Sequence, residues 1–418
     1  MFEELSRSIN LALAKPVPPV DAVIAACDRL AGMLNEETHA PLLMRLGMGR
    51  GKALWELAHA KRMMSGPYLE QRVRAEFGAA GIPGRREYVP LGETQTVIEE
   101  WRPLGVLLHI SAGNADALPA YSVIEGLITG NVNLLKLPEG ESGLSAGILE
   151  ALCAAEPCLA DRVHILDVRS RETEKLKALA VLADGIALWG SDEAVRAVRA
   201  LAEPRTKLIE WGNRLSFAYV SPEAADEFLR GVARDMAFTN QLYCSSAQGI
   251  FVDTQEWEDV RRIASRFLPL LEAEARDHPA NLDAFARAGL SFGLLADSLE
   301  ARLSGEWELL RGENCSVAAY PDFALASSRQ YANCWVRPLP RGQIIERLRP
   351  HAGLLQTVAL QCADGVRAQV AHALFAAGAA RVTDGFHMSQ TYCAMPRDGM
   401  LPLSRCMKRV SMARENGV

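Results

Sequence analysis

One of the nine cysteines has surroundings suited to reaction. Cys244 lies between Gln241 and the run Ser245-Ser246-Ala247-Gln248, small and polar residues ahead of an apolar stretch. A structural cysteine is expected among apolar neighbours at strand or helix spacing. A thiol in a tight polar turn can be exposed and have a lowered pKa, which makes it a nucleophile. The rival reading is a solvent-facing loop cysteine, and position alone leaves the two even. Of the other eight, at 27, 153, 158, 315, 334, 362, 393 and 406, most read as small buried hydrophobes. Their odd total and the lack of a Cys-x-x-Cys pair argue against a disulfide framework and a zinc cage.

A second set of polar residues follows apolar runs: Ser111-Ala-Gly-Asn114, Lys136-Leu-Pro-Glu139, Gly190-Ser191-Asp192-Glu193 and Glu210-Trp211-Gly212. Each closes a predicted strand. The runs 105–110, 132–137, 164–167, 185–189 and 207–211 alternate with helical segments near 117–128, 142–154 and 171–180 and one opening at Ser191. The helix over 117–128 closes at Gly130-Asn131. Such alternation predicts a mostly parallel, doubly wound sheet, which binds its ligand beyond the carboxyl ends of its strands. No Gly-x-Gly-x-x-Gly follows any strand, so an ordinary dinucleotide fingerprint is absent. Two residues in these runs read as packing. His109, inside an apolar strand, is expected to be a satisfied core histidine; Trp211 could pack beside a cofactor or simply fill the core.

Residues 1 to about 80 read as helices interrupted at Pro16 to Pro19, with apolar positions such as Val23, Ala26, Leu30 and Met33. Gly47-Met48-Gly49-Arg50-Gly51-Lys52 lacks the phosphate-loop gap between glycines and has Ala53 where Ser or Thr belongs. It reads as a helix–helix connection with a basic tip. Tyr88–Leu91 and Thr96–Ile98 flank a Gly92-Glu93-Thr94 turn and predict a hairpin. A second α/β run begins with a strand at 215–220, a helix over 222–238, a strand at 249–253 and a long helix at 255–274. The domain boundary is expected near 212–222. The tail past 390 reads as loop-like.

A length of 418 residues suits two or three domains, and 49% hydrophobic with 23% charged residues suits a packed soluble protein. The net charge of −6 opposes a general nucleic-acid or anionic-membrane role. No apolar run is long enough to span a bilayer. The acidic opening Met1-Phe2-Glu3-Glu4-Leu5 is unlike a secretory leader, so a cytoplasmic location is expected.

Taken in order, Trp101-Arg-Pro-Leu-Gly-Val106, Asn114, Gly130-Asn131, Lys136-x-x-Glu139, Gly190-Ser191, Glu210-x-Gly212 and Cys244 resemble the aldehyde dehydrogenase superfamily. The 34 residues from Glu210 to Cys244 also match its spacing. The wording of Leu107–Asn114, Cys244-Ser-Ser, Leu355-Gln-Thr-Val358 and Arg397-Asp-Gly399 is similar to its acyl-CoA reductase branch, which includes the bacterial bioluminescence fatty-acid reductase. The likeness spans roughly 85–412.

The resemblance implies an aldehyde dehydrogenase-like α/β fold: two doubly wound domains and a small oligomerisation hairpin. Residues 1–85 and 102–213 would bind NAD(P), 214–399 would carry the cysteine, and 86–101 with 400–418 would form the oligomerisation flap and tail of a homodimer or homotetramer. It implies NADPH-dependent reduction of an acyl thioester, from acyl-CoA or an acyl-carrier protein, to the aldehyde. An acyl-transferring partner enzyme could feed it. Cys244 would be the nucleophile, and Asn114 would share the oxyanion with the Cys244 backbone N–H. Ser111, Lys136, Glu139, Gly190, Ser191, Trp211 and Gly212 would hold the cofactor. Lys136 favours NADPH, and Glu139 leaves NADH possible. Glu210 matches the superfamily's water-activating glutamate, whose hydrolysis a reductase must avoid. It could turn away, donate a proton or hold the pocket. A hydrolytic dehydrogenase and an inactive scaffold are the alternatives. Asn213-Arg214 departs from the superfamily's usual Gly-Lys pair.

Overall fold

The computed structural model describes residues 2–45, 48–111, 117–140 and 142–414. It forms two compact units, one of Met1–Gly212 with Tyr392–Val418 and one of Asn213–Thr391.

The first unit opens with five helices, α1 (Phe2–Ala14), α2 (Val20–Met33), α3 (Glu36–Arg45), α4 (Arg50–Met64) and α5 (Gly66–Phe77). Val23, Ala26, Cys27 and Leu30 recur at helical spacing on α2, and that face packs with Leu57, Leu69 and Ile124. Leu46 and Gly47, at the predicted basic-tipped connection, lie outside the described residues.

Two strands follow, β1 (Arg86–Tyr88) and β2 (Thr96–Pro103), then an alternating run: β3 (Val106–Ile110), α6 (Leu118–Ile128), β4 (Val132–Lys136), α7 (Leu144–Ala155), β5 (Val163–Leu166), α8 (Thr173–Leu182), β6 (Gly185–Trp189), α9 (Asp192–Leu201) and β7 (Lys207–Trp211). The sheet order is β5-β4-β3-β6-β7, parallel throughout. Strands covered on both faces must be apolar along their length. Val106, Leu107, Leu108, Val132, Leu134 and Leu135 are accordingly buried, each contributing roughly 1.5–3 kcal/mol. One face packs on α6 and α7, the other on α1, α8 and α9. The winding reverses between β3 and β6, and in open sheets of this kind the ligand site lies beyond the carboxyl ends of the strands at such a point.

The second unit contains β8 (Leu215–Val220), α10 (Asp226–Thr239), β9 (Ala247–Val252), α11 (Trp257–Asp277), α12 (Ala284–Ser304), β10 (Glu308–Arg311), β11 (Ser316–Ala319), β12 (Asn333–Pro338), α13 (Ile344–Leu348), β13 (Leu355–Gln361), α14 (Asp364–Ala377) and β14 (Arg381–Thr383). Its sheet runs β10-β11-β12-β9-β8-β13-β14, with only the β10–β11 pair antiparallel. Leu229, Val232, Ala233 and Met236 of α10 pack on one face with α11. Leu348, Val370 and Leu374 pack on the other, with Phe217 and Tyr219.

The tail past 390 is loop-like as far as Leu401 and regular beyond it. It forms α15 (Pro402–Arg405) and the eight-residue strand β15 (Met407–Arg414). β15 pairs antiparallel with β2 along its length, so the predicted hairpin is two strands of a three-stranded sheet, β1-β2-β15. The first arm of that hairpin is shorter than expected. Pro90 has no N–H to give a ladder, and pairing stops at Tyr88.

Candidate active site

The first unit gathers most of the sequence-predicted cofactor residues at the carboxyl ends of neighbouring strands. Ser111 follows β3, Lys136 ends β4, Gly190 and Ser191 follow β6, Glu210 and Trp211 end β7, and Gly212 follows it. Cys244 belongs to the second unit. Asn114 lies outside the described residues.

Ser111 is buried, and its hydroxyl has no hydrogen-bond partner among the described residues. A buried polar group left alone is costly, so this hydroxyl at the switch point is suited to an incoming ligand. Gly190 and Ser191 open α9. The Ser191 hydroxyl accepts from the Ala194 N–H at 3.3 Å, and Asp192 and Glu193 fill the first turn. Ser191 is thus the N-cap of α9. It satisfies one donor of the helix end and leaves others for an anion.

Lys136 is buried and donates to the Ser170 hydroxyl at 3.0 Å, while Glu139 accepts from the Ser170 N–H at 3.2 Å. Burial lowers the Lys136 pKa, and the neighbouring Glu139 opposes that shift. Beside them lies a cleft of about 650 Å³ walled by Leu137–Gly140 and Ile165–Arg169, with Arg171 also on its lining. Ser170, Arg169 and Arg171 were missed in the sequence. The signal was present, a basic loop directly after a short strand, but the neighbouring order of β4 and β5 was needed to bring it beside Lys136.

Glu210 has a different setting. Arg199 of α9 donates from Nε and Nη2 to its two carboxylate oxygens, both at 2.6 Å. This fork-on-fork pairing fixes the carboxylate on the α9 side of the sheet. Trp211 points to the opposite face, where it is buried against Trp189 with ring centroids 5.4 Å apart. The Arg397 guanidinium covers both indoles, 4.3 Å from Trp189 and 5.2 Å from Trp211. The sequence singled out Arg397 within a motif but gave it no role. His109 is the satisfied core histidine expected: Nδ1 meets Ser122 Oγ at 2.7 Å and Nε2 meets Asn133 Oδ1 at 3.0 Å. Burial pushes its pKa down to about 4, so it is neutral at physiological pH.

Cys244 is exposed in the turn between α10 and β9. Asn240 and Gln241 enter that turn in left-handed conformations, φ 54° and 59°. Asn240 is the left-handed cap that ends α10, whereas Gln241 holds such an angle only where the surroundings over-determine it. Gln241, itself buried, donates to the Ala247 carbonyl and the Ser328 hydroxyl, both at 3.1 Å. Gln248 returns a bond to the Gln241 carbonyl at 3.1 Å, and Ser216 donates to the Cys244 carbonyl at 2.6 Å. The thiol thus sits exposed on a loop whose backbone is fixed from below.

The fold these features define is that of the aldehyde dehydrogenases. The chain superposes on aldehyde dehydrogenase 21 from Physcomitrella patens, in complex with succinate, at a TM-score of 0.72 and 14% identity, covering 100% of this chain and 91% of that one. It matches NADP-dependent glyceraldehyde-3-phosphate dehydrogenase from Bacillus halodurans, complexed with NADP, at 0.72 and 16% identity, covering 99% and 92%. Residues 17–409 match the model of the acyl-CoA reductase (LuxC) family, and the chain belongs to that family. The long-chain acyl-protein thioester reductase of Aliivibrio fischeri is 21% identical over 169 residues, 40% of this chain and 35% of the relative's length.

Proposed function

We propose that this protein reduces an acyl thioester to the aldehyde through an acyl-enzyme on Cys244. The observation carrying this reading is the exposed thiol on a rigidly held turn in a chain of the acyl-CoA reductase family. The Cys244 thiolate attacks the thioester carbonyl, the tetrahedral oxyanion collapses, and the donor thiol leaves. That exchange is nearly balanced, because one thioester replaces another. Asn114 and the Cys244 backbone N–H are the proposed oxyanion donors, each worth on the order of 10²–10³ in rate. A nicotinamide coenzyme, when bound, supplies hydride to the acyl carbon. Collapse of the resulting cysteine thiohemiacetal then frees the aldehyde and regenerates the thiol.

The first unit is the proposed coenzyme domain, with Ser111, Gly190 and Ser191 at the switch point and Lys136 and Glu139 toward the ribose. Glu210, gripped by Arg199, is read as structural rather than as a water-activating base, which favours the reductase over the hydrolytic dehydrogenase. The donor is acyl-CoA or an acyl-carrier protein. The relatives' name, acyl-protein thioester reductase, supports a protein-bound acyl group, with a partner enzyme able to supply it.

NADPH is the proposed reductant, because Lys136, Arg169 and Arg171 put positive charge beside the cleft at Glu139. A charge-assisted contact to a 2′-phosphate is worth about 1.5–3 kcal/mol, or roughly 10- to 100-fold in kcat/KM. Lys136→Ala is expected to lower kcat/KM for NADPH by that factor while changing that for NADH less than about threefold. Equal losses with both coenzymes would remove Lys136 from phosphate recognition.

The β1-β2-β15 sheet supports a homo-oligomer, since β1 is an open edge followed by exposed Val89 and Leu91. Light scattering is expected to give two or four times the 45.6 kDa chain mass; a monomer at micromolar concentration would oppose this.

A further inference from the structure

Directly behind the proposed nucleophile lies a buried carboxylate with no part in the chemistry described so far. Asp235 is on the last turn but one of α10. Its Oδ2 accepts from the Ser246 hydroxyl at 3.0 Å, and its Oδ1 accepts from the Ser389 N–H at 3.0 Å. The Ser245 hydroxyl donates to the Ser389 hydroxyl at 3.2 Å. Both serines that follow Cys244 are thus tied to one carboxylate and to the segment it holds. Thr239 reinforces the arrangement, with its Oγ1 2.6 Å from Ser246 Oγ and bonded to the Asp235 carbonyl at 2.6 Å.

The segment ending at Ser389 is itself held against α10. A Cβ on Gly385 would come within 2.5 Å of the Phe228 carbonyl, and one on Gly231 within 2.8 Å of the Phe386 nitrogen. Only glycines permit this backbone-to-backbone approach. Arg381 fixes the same segment through the His387 and Met388 carbonyls at 2.7 and 3.0 Å.

We propose that Asp235 is the positioning residue of the nucleophile: its carboxylate clamps the Cys244–Ser246 turn between α10 and the 385–389 segment and so sets the thiol's line of attack. The inference rests on Cys244 being the nucleophile. Burial pushes the Asp235 carboxyl up to about 6, against the opposing bonds from Ser389 and Ser246. A carboxyl with a higher pKa in the folded than in the unfolded chain favours folding at low pH, and that contribution is lost as pH rises through about 6. At neutral pH the charge is therefore held at the expense of stability.

The test measures turnover of an acyl-CoA panel with NADPH, melting temperature at neutral pH, and Cys244 alkylation by iodoacetamide, in the full chain. Asp235→Ala is expected to lower kcat by about 10- to 100-fold with both KM values within about twofold and an altered alkylation rate, as a small misplacement of a reacting atom can do. Asp235→Asn, which keeps the shape and one acceptor, is expected to lose roughly 3- to 10-fold in kcat and to melt at or above the wild-type temperature. Should the alanine variant fail to fold, the asparagine variant decides. Wild-type kcat in Asp235→Asn, or losses that follow a lowered melting temperature, would overturn the inference. Cys244→Ala separates the two readings. If it is inactive while Asp235 variants turn over normally, only the positioning role falls; if it turns over normally, the nucleophile reading falls and this one with it.

Discussion

Cys244→Ala is expected to reduce acyl-thioester-dependent NADPH oxidation by on the order of 10⁴-fold or more, the scale seen when a covalent nucleophile is removed. Eight other thiols are present, but their settings disfavour substitution for it. Burial pushes Cys27 up to about 12 and Cys315 up to about 11, and it raises Cys334 and Cys406 further. Cys158 is exposed like Cys244, yet partial desolvation and the nearby Glu156 raise its pKa. Cys158→Ala should therefore behave as wild type. Steady-state rates for the two variants check this directly. A Cys244→Ala enzyme within tenfold of wild type would require a different nucleophile or none.

Arg72→Ala should produce the largest loss of stability. The guanidinium, on α5, is buried and donates from Nη2 to Glu125 Oε1 on α6 at 2.9 Å and from Nη1 to the Tyr121 hydroxyl, with Glu76 Oε1 at 3.7 Å. Burial works against its charge, but Tyr121, Glu125 and Glu76 hold its pKa above the usual arginine value. Removing it leaves Glu125 buried with Arg397 at 3.7 Å as its remaining cation among the described residues. Breaking a buried pair in this way costs about 3–5 kcal/mol. At roughly 2–4 °C per kcal/mol for a unit of this size, the melting temperature should fall by about 6–20 °C. Arg72→Met with Glu125→Leu should recover most of that fall, since an apolar replacement of both partners is near neutral. A shift under about 2 °C in Arg72→Ala would show the network to be dispensable. The consequence would reach the strand ends, because Glu125 also anchors Arg397 beside Trp189 and Trp211.

Much of the fold was legible because buried parallel strands must be apolar and short. The strands at 185–189, 207–211 and 215–220 have the predicted bounds, the other predicted elements shift by a few residues at their ends, and α12 through β14 were not predicted. His109 was legible for a related reason, since an imidazole inside an apolar strand must find polar partners and finds Ser122 and Asn133. What the sequence hid depends on pairings between distant segments. β15 joins β2 across about three hundred residues, with Lys408 opposite Arg102, and no local pattern announces that register. Arg199 was visible as a helix residue, but its grip on Glu210 follows from how α9 packs back on β7. Asp235 falls within the predicted helix over 222–238, where an acidic residue alone carries no signal. Only the segment around Ser389 closing over it turns it inward.

The most direct test is a single turnover run in two stages. The protein is mixed with a stoichiometric acyl-CoA without coenzyme, its intact mass and peptide map are read, and NADPH is then added. One acyl group is expected on Cys244, stable until NADPH releases it as the aldehyde. Failure to acylate Cys244, or release of the acyl group as the acid, would contradict this expectation.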